Sequence, residues 1–221
     1  PSDFVTDTAA QTITATLSAG LGTGETLMAS VDGGANFVDI SSNVSGTAVS
    51  WESVTLVEGY NDILMKVATA TDEGSTAYRG YQLDTAAPTL MDTYPADGTA
   101  SVAVGGNIDL YFDENINLGT GNLVISDGAG DDRIIDVTDS SQVFFDKYGS
   151  NYLTIDPLAD LAPGTSYSVQ IDAGAITDKS GNAFAGISDT TTLNFDTSSI
   201  TTTVTIDALS ADSGSSPTDF V

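Results

Sequence analysis

The chain of 221 residues contains no histidine and no cysteine, and only five cations (Lys66, Arg79, Arg133, Lys147 and Lys179) stand against 31 acidic residues. These absences remove the Ser-His-Asp triad, the thiolate nucleophile, thiolate and imidazole zinc sites, and any disulfide framework. Five scattered cations cannot neutralise a phosphate backbone, and a net charge of −26 repels nucleic acid and anionic lipid. No run approaches the ~20 apolar residues that span a bilayer, and the first residues lack the charged-then-apolar pattern of an export signal. The expectation is a soluble segment with no nucleic-acid partner and no membrane contact, whose targeting information lies elsewhere.

What is present points to a folded chain. Forty per cent of residues are hydrophobic, and 8 Tyr, 8 Phe and a single tryptophan, Trp51, are spread along the length, which argues against disorder. The acidic residues comprise 26 Asp and 5 Glu. Helix surfaces favour Glu, whereas turns and hard-cation sites favour the short Asp side chain, so the bias points to loops and calcium. An acidic surface suited to salty or cold water is a compatible second reading.

No window sustains helical periodicity, while short period-2 runs recur between clusters of Gly, Asn, Asp and Ser. The predicted strands of the first half are 11–19, 25–31, 36–40, 47–51, 62–68 and 77–84. Those of the second half are 89–94, 107–113, 122–126, 133–138, 142–146, 152–155, 166–171 and 191–196. This is an all-β chain, and the spacing suggests a pair of sandwiches. Each half ends alike, Leu83-Asp84-Thr85 and Phe195-Asp196-Thr197, and Pro88 favours an extended linker after the first. The expected division is 1–87, 88–198 and 199–221. Pro1-Ser2-Asp3-Phe4-Val5 returns as Pro217-Thr218-Asp219-Phe220-Val221, which suggests one period of a longer tandem array. On that reading 199–221 opens the next repeat and the first sandwich lacks its own first strand. Residues 203–206 of one molecule are then candidates to fill that vacant edge in another by strand exchange, a disordered tail being the alternative.

With these segments in view the chain resembles the bacterial Ig-like repeats of large surface adhesins, including calcium-dependent RTX and biofilm-associated adhesins. In the first half the resemblance rests on Pro1–Thr6, Gly24-Glu25, Ser30-Val31-Asp32-Gly33-Gly34, Val49-Ser50-Trp51, Glu58-Gly59 and Leu83-Asp84-Thr85. In the second it rests on Tyr94-Pro95-Ala96-Asp97-Gly98, Leu110–Glu114, Gly119–Asn122, Leu153-Thr154-Ile155, Leu161, Tyr167 and Ala175–Asn182, a pattern also similar to S-layer Ig-like domains. Two departures stand out. Thr71–Ser75 replaces the usual D-x-x-G-N-like turn, and the glycine-rich nonapeptide calcium repeats are missing. The resemblance implies two tandem Ig-like β-sandwich domains in an elongated arrangement.

Strand directions in such a sandwich gather distant carboxylates at the end facing the linker. Asp84 lies in the linker, Asp113 and Glu114 follow the second strand, and Asp172 and Asp178 flank the loop before the last strand. Five acids at one place repel one another unless a hard cation bridges them, and Ca2+ accepts 6–8 oxygen ligands. The competing reading makes Asp84 and Asp178 turn caps and Asp113-Glu114 a solvated strand end. Asp196 is expected to serve the following junction in the same way. Asp127, Asp131 and Asp132 form a weaker calcium candidate that does not match the EF-hand spacing, with a plain hairpin turn as the alternative. Asp207, Asp212 and Asp219 are weaker still.

No enzyme signature appears. Paired carboxylates can hydrolyse glycosides only beside an aromatic cleft, and Trp51 sits where a core position is expected. The expected role is non-enzymatic: a calcium-stiffened extender at a bacterial cell surface, contacting neighbouring repeats and holding an adhesive end outward for adhesion or biofilm formation. The alternatives are a glycan- or protein-binding module and an S-layer lattice module.

Overall fold

A computed structural model of the protein describes residues 4–145 and 149–199. The alternating segments form strands because side chains of period 2 find a common dry face only in a sheet. In the first half these are β1 (Val5–Thr6), β2 (Ala10–Thr16), β3 (Thr26–Ser30), β4 (Val38–Asp39), β5 (Val44–Ser45), β6 (Ala48–Thr55), β7 (Gly59–Ala68) and β8 (Ala77–Leu83). They make two sheets, in the orders β1-β8-β7-β3-β4 and β2-β6-β5.

The second half continues with β9 (Leu90–Tyr94), β10 (Thr99–Val102), β11 (Ile108–Phe112), β12 (Ile116–Leu118), β13 (Asn122–Ser126), β14 (Asp132–Asp136), β15 (Val143–Phe145), β16 (Tyr152–Ile155), β17 (Ser166–Ile171), β18 (Ile176–Asp178) and β19 (Asn194–Thr197). Its sheets run β10-β19-β17-β13-β14 and β15-β16-β11-β9, with a separate pair β12-β18. Among the described residues no sheet mixes strands of the two halves. The fold is all-β, and both halves follow one Ig-like sandwich plan. In each, a short strand pairs in parallel with the last strand, β1 on β8 and β10 on β19, while the other pairings are antiparallel.

Three differences from the sequence reading matter. Val5–Thr6 does form a strand on the β8 edge, while β2 stays at the margin of its own sheet. Its counterpart β11 is flanked on that side by β9. The short strands β10, β12 and β18 escaped the pattern search, because three or four residues carry too little period and their partners lie far away in sequence. The expected tail 199–221 lies, after Ser199, outside the described residues, as does Asp146 of the predicted strand 142–146.

The core of the second half is one continuous cluster that includes Ile108, Leu110, Leu123, Ile125, Leu153, Ile155, Tyr167, Val169 and Phe195, all 2% exposed or less. Fully burying one such side chain contributes roughly 1.5–3 kcal/mol. The first half holds two smaller clusters, one around Val54, Leu56, Tyr81 and Leu83 and one around Leu27, Ala29, Ile40 and Val49. Trp51 packs on both clusters and is only half-buried, short of the core position expected for it.

Each half also places one buried tyrosine as a brace. The Tyr81 hydroxyl donates to the Val31 carbonyl at 2.6 Å and accepts from the Val57 N–H at 2.9 Å. The Tyr167 hydroxyl accepts from the Ala162 N–H at 2.9 Å and donates to the Asp131 carboxylate. Both phenols titrate above the usual range, chiefly because burial disfavours the phenolate.

Candidate functional site

The chain between the halves is held from both sides. The Glu58 carboxylate, in the turn before β7, accepts from the Thr85 N–H and hydroxyl at 3.1 Å each. Beyond Pro88, which is buried, the Asp113 carboxylate accepts from the Thr89 N–H at 2.8 Å and the Thr89 hydroxyl at 2.6 Å. These bonds hold the Asp113 carboxyl below its ordinary range. One acid from each half therefore clips a threonine of the linker segment.

Between these clips the β12-β18 pair brings the hairpin before β19 against the segment after β11. Ile116 pairs with Asp178, which sets Asp178 two residues along from Glu114. The approach depends on Gly119, where a Cβ would sit 2.1 Å from the Gly174 carbonyl oxygen. Asp178 is 1% exposed, and its carboxylate accepts from the Gly181 N–H at 2.6 Å and from the Asn182 N–H and side-chain amide at 2.7 Å each. The Asn182 amide also donates to the Asp84 carbonyl at 2.7 Å, so one side chain ties the hairpin to the linker.

One carboxylate oxygen from each of Asp84, Glu114 and Asp178 lies within 4.8 Å of the other two. Like charges at that distance repel by on the order of 3 kcal/mol per pair near a protein surface. Glu114 titrates above its ordinary range, first because it is partly buried and then because Asp178, Asp84 and Asp113 are negative. Among the described residues the ion pairs are Lys66–Glu73 and Arg133–Asp131, so no Lys or Arg nitrogen lies within 4 Å of a carboxylate oxygen of this group. Asp178 has spent three of its roughly four lone-pair positions on N–H donors, and among the described residues the Asp84 carboxylate accepts only the Ala86 N–H, at 3.2 Å. Among the described residues, acceptor capacity is therefore left mainly on Asp84 and Glu114. An all-oxygen donor set with excess negative charge fits a hard divalent cation such as Ca2+ and does not suit a soft metal.

The other expected ligands sit apart. Asp113 is occupied by Thr89 and reaches the group only as a neighbouring charge. Asp172 turns away because the chain reverses directly after β17; its carboxylate accepts from the Asn122 N–H at 2.8 Å. Asp196 faces Ser166 across the β17-β19 ladder and accepts from its hydroxyl. Asp127 accepts three N–H bonds from Ala129, Gly130 and Asp131, which lower its pKa. Asp131 is taken by Arg133 and Tyr167, and Asp132 by the Ser126 hydroxyl. That loop closes on its own donors as a hairpin turn. Asp207, Asp212 and Asp219 lie outside the described residues. Glu58 and Thr89 were not singled out as junction residues, and nothing local marks them, since each acts on a residue 24 or more positions away.

A family model described as bacterial Ig-like domain matches residues 84–197. The chain belongs to that family. A comparison with curated proteins finds no match. Among solved structures, the crystal structure of chicken CNTN1 FN1-FN3 domains aligns at 11% identity over 85% of this chain, with a TM-score of 0.26. The alignment covers 62% of the chain in that structure.

Proposed function

We propose that this chain is a structural extender of a bacterial surface protein, two Ig-like sandwiches at 1–87 and 88–198 whose junction is stiffened by calcium. The observation that carries the reading is the convergence of Asp84, Glu114 and Asp178, from three segments distant in sequence, on the linker. Each belongs to a different structural unit: the exit of β8, the exit of β11 and the end of β18. A cation held by all three ties the linker to the second half, and Glu58 ties it to the first. Ligand binding to the folded state adds RT ln(1 + [L]/Kd), about 2.7 kcal/mol at a hundredfold excess over Kd. Calcium is scarce in cytoplasm and abundant outside cells, so this stabilisation arrives after export. Among the described residues no helix is long and apolar enough to cross a membrane.

A non-catalytic role as a binding module is the second reading. A cleft of about 470 Å3 lies between β7, β8 and the loop bearing Lys179, beside Tyr60, whose ring is largely exposed. Thermal unfolding in EDTA and then in millimolar CaCl2, with small-angle scattering of the same samples, separates the two. A higher melting temperature with a longer, stiffer particle supports the extender. No change in either property removes the calcium junction and leaves the cleft as the better lead.

A further inference from the structure

The β2 strand is an edge that the rest of the fold treats as an interior position. In the second half, β11 occupies the equivalent place, and its Ile108, Leu110 and Phe112 are buried between β16 on one side and β9 on the other. In the first half, among the described residues, β2 pairs with β6 alone, and its inward residues Ile13 and Ala15, with Leu17 beyond, remain only half-buried, as does Trp51 behind them. The ladder to β6 pairs Ile13, Ala15 and Leu17 with Trp51, Val49 and Thr47, and the Leu17 N–H donates to the Thr47 carbonyl at 2.8 Å. Antiparallel ladders alternate, so the N–H and C=O groups of Thr14 and Thr16 point away from β6 to the open side. An exposed edge with a thin apolar face behind it is a template for a further strand.

We infer that this edge accepts residues 203–206 of a second copy of the chain, running antiparallel to β2 as β9 runs to β11. The segment Thr203-Val204-Thr205-Ile206 has the required period, with Val204 and Ile206 on one face and two threonines on the other. Its place in the chain order also corresponds. β9 precedes β10, the strand that pairs in parallel with β19; residues 203–206 precede Pro217–Val221, the second version of the Pro1–Val5 motif whose Val5 opens β1 on β8. Donor and acceptor are different segments, 203–206 and β2, so the contact is heterologous and propagates from copy to copy instead of closing after two. With a net charge of −26 on each copy, added salt strengthens the association by screening.

The inference does not rest on the calcium junction, and its test is run in EDTA. Sedimentation velocity of the full chain, from micromolar to millimolar concentration in high salt, is expected to show mass growing past two chains. Val204→Asp with Ile206→Asp removes the donor face and is expected to leave monomers. Thr14→Pro removes an outward N–H without touching the β6 ladder and is expected to do the same. Mixing the two variants restores only a one-to-one pair, because each keeps the half the other lost. A wild-type chain that stays monomeric throughout, or assembly untouched by the Val204/Ile206 change, overturns the inference; if Thr14→Pro fails to fold, the donor variant still decides.

Discussion

The two halves use the same strand plan with unequal completeness, and the difference shows what a sandwich needs. In the second half, β9 covers the outer edge of β11 and the β12-β18 pair caps one end, so a single cluster runs from Ile108 to Phe195. In the first half neither addition is present among the described residues, and the apolar interior divides into two clusters bridged by Trp51 and Met65. Packing is cooperative: each strand removes solvent from the next, so loss of one edge leaves Ile13, Leu17 and Trp51 half-wet. The same caps that complete the second core carry Asp178 to the linker. The better-packed half is therefore also the half that builds the junction.

The largest expected effects break this comparison directly. Leu153→Ala, in the continuous cluster, is expected to cost about 3–4 kcal/mol, and Leu56→Ala, in a small cluster that can collapse toward solvent, about 2 kcal/mol. Because Trp51 is the only tryptophan, its fluorescence follows the first half while far-ultraviolet circular dichroism follows both. Leu153→Ala should shift the dichroism transition and spare the fluorescence midpoint, whereas Leu56→Ala should shift the fluorescence midpoint together with the first half's share of the dichroism. Movement of both signals in both variants would mean that the halves unfold as one unit.

Next in size is Gly119→Ala. A Cβ forced against the Gly174 carbonyl must part β12 from β18, at about 2–3 kcal/mol. The calcium response of the melting temperature should fall with it, since Asp178 leaves the group. A variant that loses stability yet keeps a full calcium response would separate the cap from the site.

The tyrosine braces give a smaller, matched pair. Tyr81→Phe strands the Val31 carbonyl and Val57 N–H, and Tyr167→Phe strands the Ala162 N–H, each at about 1–2 kcal/mol in denaturant titrations. Equal costs would mark the brace as common to both halves.

The smallest effect concerns Glu114. Its folded pKa is raised, so in EDTA the folded chain holds its proton more tightly than the unfolded chain does. Stability therefore rises as pH falls through that raised value toward the ordinary 4.5, and then levels off. Asp113 acts with the opposite sign and lower down, its contribution being lost only as pH drops below 3.8. Glu114→Gln should abolish the upper slope, add ~0.5 kcal/mol or less to the metal-free protein, and weaken the calcium response. Melting curves between pH 4 and pH 7 check the sign. An unchanged slope would detach Glu114 from the group.

Much of the architecture was legible from period and punctuation. Runs such as Asn107–Asp113 and Ser166–Ile171 alternate strictly, and each became a strand with its apolar members buried. Strand directions in an Ig-like sandwich gathered Asp84, Asp113, Glu114, Asp172 and Asp178, of which the structure brings Asp84, Glu114 and Asp178 together. What escaped was everything decided by a partner far along the chain. Asp172 looked equivalent to Asp178, yet the reversal after β17 sends one to Asn122 and the other to the linker. Glu58 carried no local sign of its hold on Thr85.

Composition and alternation, being properties of neighbouring residues, determined by themselves that this is an acidic all-β protein without histidine or thiol chemistry, whose strand spacing suggests a pair of sandwiches. Which carboxylates meet, which strand edge is left open and which core is continuous were decided by tertiary structure. Those outcomes depend on the registers of β12 on β18 and β9 on β11, and a register is set by packing between segments that the local pattern cannot see.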